Sequence, residues 1–517
     1  MPVPTTIGSE PITFPLLSLM ALLPLLAMLA ILGSKSVQTS LRYAFAGTLS
    51  NVALGIYLLA IFDANKNGIQ LLEQIHVAEL SYSVGVDGTN ILFIPLTAIL
   101  ALLALVYVSS TRLAGDKRFV ACLLGYETIL IGAFSALNLM QFWLWSVLET
   151  IPLIVMTIRS GTGQSRRWIV SLFLQYWVSG LLMVLAGFLF LAFGLVGADH
   201  DLTFDWLTLK QNNAYLHDET LIFILLFFGF AIRMPLFPFH GWLPLIAEHG
   251  TVASAGIFLV GLKLGIYAVI RFILPMLPGI AEQWANFALI LGLISLFYGA
   301  LLALVQINIR RLLACTAISQ SGLLVIGIFC CNKFGLQGSL LLSMVYGLAT
   351  AGLLLSTGMV YQCTRTAFIP RLGGLFDRNK TLGLLFIISA LSTMIMPGIP
   401  GFDAAHLLIQ GIIDEYGWLI AIAAVLGNVL VAALLLRAFQ QIFIALPKRL
   451  QKPAHHTQLS PQKVRSITAL ICILLIGTGY YTTPWLNFID HETSAISGQY
   501  PIHNSEQQTE QPPSKHE

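Results

Sequence analysis

Six ionisable residues lie within long apolar stretches of this chain: Glu127, Glu149, Arg233, Lys263, Arg271 and Asp403. A charge in an apolar medium is costly unless paired or hydrated, so each is a candidate for function. Lys263 sits in Gly261-Leu262-Lys263-Leu264-Gly265. Buried lysines can gain and lose a proton near neutrality, which makes Lys263 the first candidate proton carrier. Glu149 follows Trp143 and Trp145 and precedes Pro152, and Glu127 stands near the middle of its apolar run. Arg233, in Phe230-Ala231-Ile232-Arg233-Met234-Pro235, keeps its charge and can only hold or bias a carboxylate. Arg271, close to a run end, is expected to snorkel to an interface. His240 and His249 flank Gly241-Trp242-Leu243-Pro244, and His406 follows Asp403, all suited to proton relays. Tyr346 and Gln320 could order water. The six cysteines form no CxxC pair and have no histidine at metal-ligand spacing, so no metal or cofactor is expected.

The elements that carry these residues follow from composition. Of 517 residues, 57% are hydrophobic and 10% charged, against roughly 25% charged in a soluble domain. This excludes soluble, disordered and disulfide-scaffold classes and predicts an all-α polytopic membrane protein. The net charge of +3 is too slight to suggest nucleic-acid binding. Spans of roughly 20 apolar residues are predicted at 13–33, 44–62, 91–109, 119–137, 139–158, 168–196, 220–240, 251–273, 284–305, 310–331, 336–361, 381–410, 416–442 and 466–483. With the N-terminus outside, inner segments hold 20 Lys and Arg residues and outer segments four. The positive-inside rule therefore predicts about fourteen transmembrane helices with both termini on the outer, non-cytoplasmic side.

Two spans should be broken, the seventh by Pro235 and Pro238 and the twelfth by Pro397-Gly398-Ile399-Pro400-Gly401. Opened backbone at membrane depth is tolerated only where protein or a wet cavity satisfies it. The breaks stand five spans apart. That predicts two inverted five-helix repeats, spans 4–8 and 9–13, an arrangement found in transporters. The expected organisation is a three-helix segment at 1–118, a first repeat at 119–273 and a second at 284–442. A basic connector with the last helix follows at 443–483, then a disordered polar tail at 484–517.

The residues around the breaks resemble a known family. Arg233-Met234-Pro235 followed by Phe239-His240-Gly241-Trp242-Leu243-Pro244 is similar to the "K-M-P…H-x-W-L-P" segment of the antiporter-like membrane subunits of complex I. Gln306-Ile307-Asn308-Ile309-Arg310-Arg311-Leu312-Leu313-Ala314 resembles their "Q-x-D-I-K-R-L-x-A" stretch, Gly85-Val86-Asp87-Gly88 their "G-V/I-D-G", and Met396-Pro397-Gly398 their twelfth-helix break. The pattern is closest to the NuoM/NdhD type and lacks the long lateral helix of the NuoL type.

The resemblance implies a half-channel in each repeat and a lysine- and glutamate-based proton path along the membrane midplane. It also implies work as one subunit of a hetero-oligomeric complex in a bacterial inner or thylakoid-like membrane. Lys263 fits the eighth-helix lysine, and Arg233 stands where the family has a seventh-helix lysine. The principal fifth-helix glutamate position holds Val147, two residues from Glu149, a rotation of about 200° around a helix. Gln320 and Tyr346 occupy histidine positions, and Ala405 a glutamate position beside Asp403 and His406. Several titratable groups are thus replaced, which points to a divergent paralogue with a rewired path.

Three kinds of assembly use such a scaffold. One is a complex I-like NADH or ferredoxin:quinone oxidoreductase, in which this subunit would move protons without doing the redox chemistry. The second is an energy-coupled CO2-hydration or inorganic-carbon accumulation complex, working with a zinc carbonic-anhydrase-like partner. The third is an Mrp-type cation/proton antiporter, and a non-conducting structural subunit is a further alternative. No Gly-rich phosphate loop or nucleophile–base pair suggests a stand-alone enzyme.

Overall fold

The structure, a computed structural model, describes residues 15–77, 80–161, 166–194, 202–211, 218–250, 263–399, 401–446 and 461–500. The chain begins with α1 (Leu16–Gly33) and α2 (Val37–Ile61), then a hairpin of β1 (Gln70–Val77) and β2 (Leu80–Val86). There follow α3 (Phe93–Val108), α4 (Lys117–Ser135), α5 (Leu139–Leu148), α6 (Thr150–Ser160), α7 (Arg166–Gly194), the short α8 (Trp206–Gln211), α9 (Glu219–Arg233) and α10 (Trp242–His249). Next come α11 (263–268), running into a π-turn at Val269–Ile273, then α12 (Pro278–Gln283), α13 (Ala285–Leu304), α14 (Ile309–Ile328) and α15 (Lys333–Thr364). The chain continues through α16 (Leu375–Arg378), α17 (Lys380–Thr393), α18 (Gly401–Tyr416), α19 (Trp418–Phe439), α20 (Pro461–Tyr480) and α21 (Thr483–Ser497).

Among the described residues, ten helices are long and apolar enough to cross a membrane. The expected spans outside that set are short or interrupted: α3 has 16 residues, the seventh run is helical only as α9 with α10 following beyond its end, and the twelfth run splits into α17/α18. The N-terminal part of the eighth run lies outside the described residues.

Both proline breaks are present, and protein groups satisfy the opened backbone. After α9, the Trp242 indole donates to the Ile232 carbonyl (3.1 Å) and the Phe237 N–H to the Ser295 hydroxyl (2.9 Å). After α17, Asn428 donates to the Met394 carbonyl (3.2 Å), and the opened backbone passes through Gly398 at φ +84° before α18 continues in the same direction along α15. This is the condition under which non-helical backbone survives at membrane depth. Lipid offers helices no hydrophobic drive to associate, so close approach at small residues has to hold them together. At the α13/α14 contact a Cβ on Gly292 would lie 2.9 Å from the Gly322 carbonyl oxygen, so that crossing requires glycine.

Arg271 does not snorkel. It is 1% exposed, bonded to Asp87 and stacked 4.0 Å from the Trp206 ring, whose indole donates to the Arg271 carbonyl. A paired guanidinium has no need to reach water. The tail is also not disordered from residue 484, because α21 runs to Ser497. Its Ile489 and Ile496, each 1% exposed, lie on one helical face with Thr493, and Phe488 makes an edge contact with Phe62 at 5.7 Å. Asp490 pins the helix to α15 through Lys333 (2.8 Å) and Gln337 (2.7 Å). Burial opposes ionisation of Asp490, but the bonds from Lys333 and Gln337 hold it below the usual carboxylate range. Residues 501–517, and the connector at 447–460, lie outside the described residues.

Candidate functional site

The site begins at the junction of α5 and α6. Asn138 caps α5, accepting from the N–H groups of Met140 (2.9 Å) and Gln141 (3.2 Å), and the helix delivers Glu149 to its C-terminal boundary. Glu149 is fully buried there. It accepts a hydrogen bond from the Tyr126 hydroxyl of α4 (2.6 Å) and forms an ion pair with Arg233, the last residue of α9. The guanidinium also stacks on Trp177 of α7, 5.3 Å from the ring. The helix break after Arg233 therefore places a fixed positive charge against the carboxylate. Beside the pair is a cavity of about 20 Å³, lined by Ser146, Trp177 and Arg233 among others, with room for a single water.

Glu127 faces the other way. One carboxylate oxygen accepts from Asn51 of α2 (2.7 Å), while the second is buried without a partner among the described residues. The two buried acids, 22 positions apart in the chain, thus belong to separate contacts.

Lys263 lies on α11, where it is the first described residue, and is 5% exposed. Its ammonium stands over the Tyr346 ring of α15 at 5.5 Å, and among the described residues it has no carboxylate partner. A run of buried polar groups continues from there. α14 and α15 are antiparallel, with Ser339 donating to the Leu324 carbonyl (3.3 Å), a register that sets Gln320 level with Ser343. Among the described residues, both Gln320 side-chain atoms and the Ser343 hydroxyl have no hydrogen-bond partner. On the next helix, Ser389 packs against Gly352, which brings Ser392 level with Ala349, one turn from Tyr346. The Ser389 and Ser392 hydroxyls also have no hydrogen-bond partner among the described residues. Such groups can order water and pass protons through it, although they do not themselves titrate.

The remaining candidates lie apart. Asp403 accepts from Thr482 (2.6 Å), and His406 is exposed on α18. His240 is buried in the first break, its ring 4.9 Å from Tyr298 and 5.8 Å from Phe237, with Nδ1 lacking a partner among the described residues. Val147 is half-buried and Ala405 buried, neither with a group that can hold a proton. The structure therefore joins Glu149 to Arg233 and Lys263 to Tyr346, but leaves Asp403 and His406 outside both clusters. Sequence reasoning missed Tyr126, Asn51 and Asp87 as partners. Asn51, a lone amide in an apolar run, and Asp87, within a recognised motif, carried the signal for two of them. Among the described residues no group of His, Cys, Asp and Glu could hold a metal ion.

Comparison with known proteins identifies the family. A family model described as NADH:quinone oxidoreductase/Mrp antiporter, TM, matches residues 136–431. The NADH-quinone oxidoreductase subunit M of Rickettsia typhi is 28% identical over 451 residues, covering 85% of this chain and 89% of its own. The NAD(P)H-quinone oxidoreductase chain 4 1 of Synechococcus elongatus is 30% identical over 487 residues, 91% of this chain and 88% of its own. A chain of respiratory complex I from Thermus thermophilus has a TM-score of 0.82 at 24% identity, covering 94% of this chain and 100% of that one. A chain of the Mrp complex from Dietzia sp. has a TM-score of 0.82 at 18% identity, covering 94% and 98%.

Proposed function

The chain belongs to the NADH:quinone oxidoreductase/Mrp antiporter family of membrane proteins, and from that premise we propose that it is a proton-translocating subunit of a complex I-like quinone oxidoreductase assembly. In this reading its proton route is rewired. Lys263 is the titrating group, and Glu149 and Arg233 form a fixed charge pair that biases the route without carrying protons. The observation that carries the reading is the contrast between the two cations. Arg233 is locked to a carboxylate and cannot release a proton. Lys263 has no carboxylate among the described residues and begins the run of unpartnered polar groups formed by Gln320, Ser343, Ser389 and Ser392. Two inverted five-helix repeats, each opened at its broken helix, would supply the entry and exit routes.

The test is proton uptake driven by the assembled complex in inverted membrane vesicles. Lys263→Ala should lower uptake by about tenfold or more, the scale of removing a proton-transfer group. Uptake at the unsubstituted level would refute the role of Lys263.

A second reading is favoured by Val147 and Ala405, which stand where the resemblance expects glutamates. In this reading the chain is the membrane half of an energy-coupled CO2-hydration or inorganic-carbon accumulation complex, and the chemistry resides in a zinc carbonic-anhydrase-like partner. Copurification with such a partner would support it. Copurification with a full set of quinone-reductase subunits would count against it.

A further inference from the structure

A second cavity lies apart from the Glu149–Arg233 pair and from Lys263, lined by none of the residues that make those contacts. It has a volume of about 430 Å³ and is bounded by the C-terminal ends of α13 and α19 and by the turn Ile369–Arg371. α13 and α19 run in the same direction, with Gly427 seated against Leu296, so both helices end at this cavity. Its walls are mostly aliphatic, Leu304, Leu312, Ile369 and Leu434 among them. Its polar groups are Gln306, Arg437 and Gln441. Among the described residues Arg437 has no ion-pair or hydrogen-bond partner, and it is exposed. Gln306 uses its amide to donate to Leu302 (3.0 Å), which leaves a second N–H available.

The surroundings show which molecule would fit. Around the mouth stand Val305 (71% exposed) and Ile307 (56%), and the outward face of α19 continues with Val429, Leu426 and Ile422, each at least 53% exposed. An apolar face thus runs away from a cation that has no partner among the described residues. The same end of the molecule carries Arg310, Arg311, Arg365, Arg371 and Arg378, the residues that the charge pattern places on the cytoplasmic side. Anionic head groups are concentrated on that face.

We propose that this cavity binds the head group of an anionic phospholipid, with its phosphate on Arg437 and the glutamine amides and its acyl chains lying along the outward apolar face of α19. A volume many times that of one water suits a head group and not a single solvent molecule. A charge-assisted bond to one guanidinium supplies preference for an anion, and the aliphatic walls require a tail.

The purified full-length chain should be taken from nanodiscs of phosphatidylglycerol or phosphatidylcholine and its retained lipid measured by native mass spectrometry. Wild type should retain phosphatidylglycerol at least about tenfold more than phosphatidylcholine, and Arg437→Gln should remove that preference. Arg437→Lys should restore part of it, and Arg42→Gln, a basic change on α2, should leave it intact. Equal retention of the two lipids by wild type, or an unchanged preference in Arg437→Gln, overturns the proposal. So does displacement of the bound lipid by millimolar inorganic phosphate, which would make this a site for a free anion. A partner helix filling the cavity in the assembled complex would also overturn it.

Discussion

At the residue scale, pairing decides what each buried charge can do. Glu149 and Arg233 satisfy one another, and Tyr126 takes the remaining carboxylate oxygen. Removing one partner from such a pair strands the other in an apolar interior. Arg233→Met should therefore lower unfolding stability in detergent by about 3–5 kcal/mol, and the double change with Glu149→Met should recover most of it. A double variant as unstable as the single one would show that the pair does not hold the two charges. Glu127→Gln should change stability by less than about 1 kcal/mol, because Asn51 can still donate to the amide oxygen. Much of this was legible beforehand: six charges inside apolar runs mark themselves, and all six lie at least half-buried in polar contacts or over an aromatic ring. Arg271 was misjudged because its partner, Asp87, lies 184 positions away, and no local pattern joins the two.

At the element scale, the least legible feature is α21. Its polar composition reads as disorder, yet Ile489, Thr493 and Ile496 give it one buried face. Its docking should depend on pH in two directions. Asp490 is held below the usual range by Lys333 and Gln337, so its contribution is present above the unfolded-state value and is lost as pH falls through the folded one. Glu492 is pushed up by burial and by the nearby Asp87, so its contribution is lost as pH rises through its raised value. Hydrogen exchange across 483–497, corrected for intrinsic rates, should be slowest between those two titrations. Asp490→Asn should abolish the acid-side change, and its persistence in that variant would exclude Asp490 as the cause. Gly88→Ala should speed exchange in α21 at all pH values, since the added Cβ would lie 2.7 Å from the Phe488 carbonyl oxygen. Unchanged exchange would mean the helix can shift without cost. The two broken helices, by contrast, were plain from Pro235, Pro238 and Pro397, because proline removes a donor wherever it stands.

At the scale of the whole molecule, sequence showed the membrane class and the family, while the joining of the buried groups needed the fold. Gln320 and Ser343 come level only because α14 and α15 are antiparallel in one register. Lys263 meets Tyr346 across 83 positions. In the proposed function, Lys263 carries the protons and Glu149 with Arg233 plays a fixed electrostatic role. The most direct test compares Lys263→Ala with the double variant Glu149→Met/Arg233→Met, measuring protons moved per electron transferred in vesicles carrying the assembled complex. The account predicts that the ratio contributed by this subunit falls about tenfold in Lys263→Ala and stays above about half in the double variant. Loss of the ratio in the double variant, with Lys263→Ala unaffected, would contradict it.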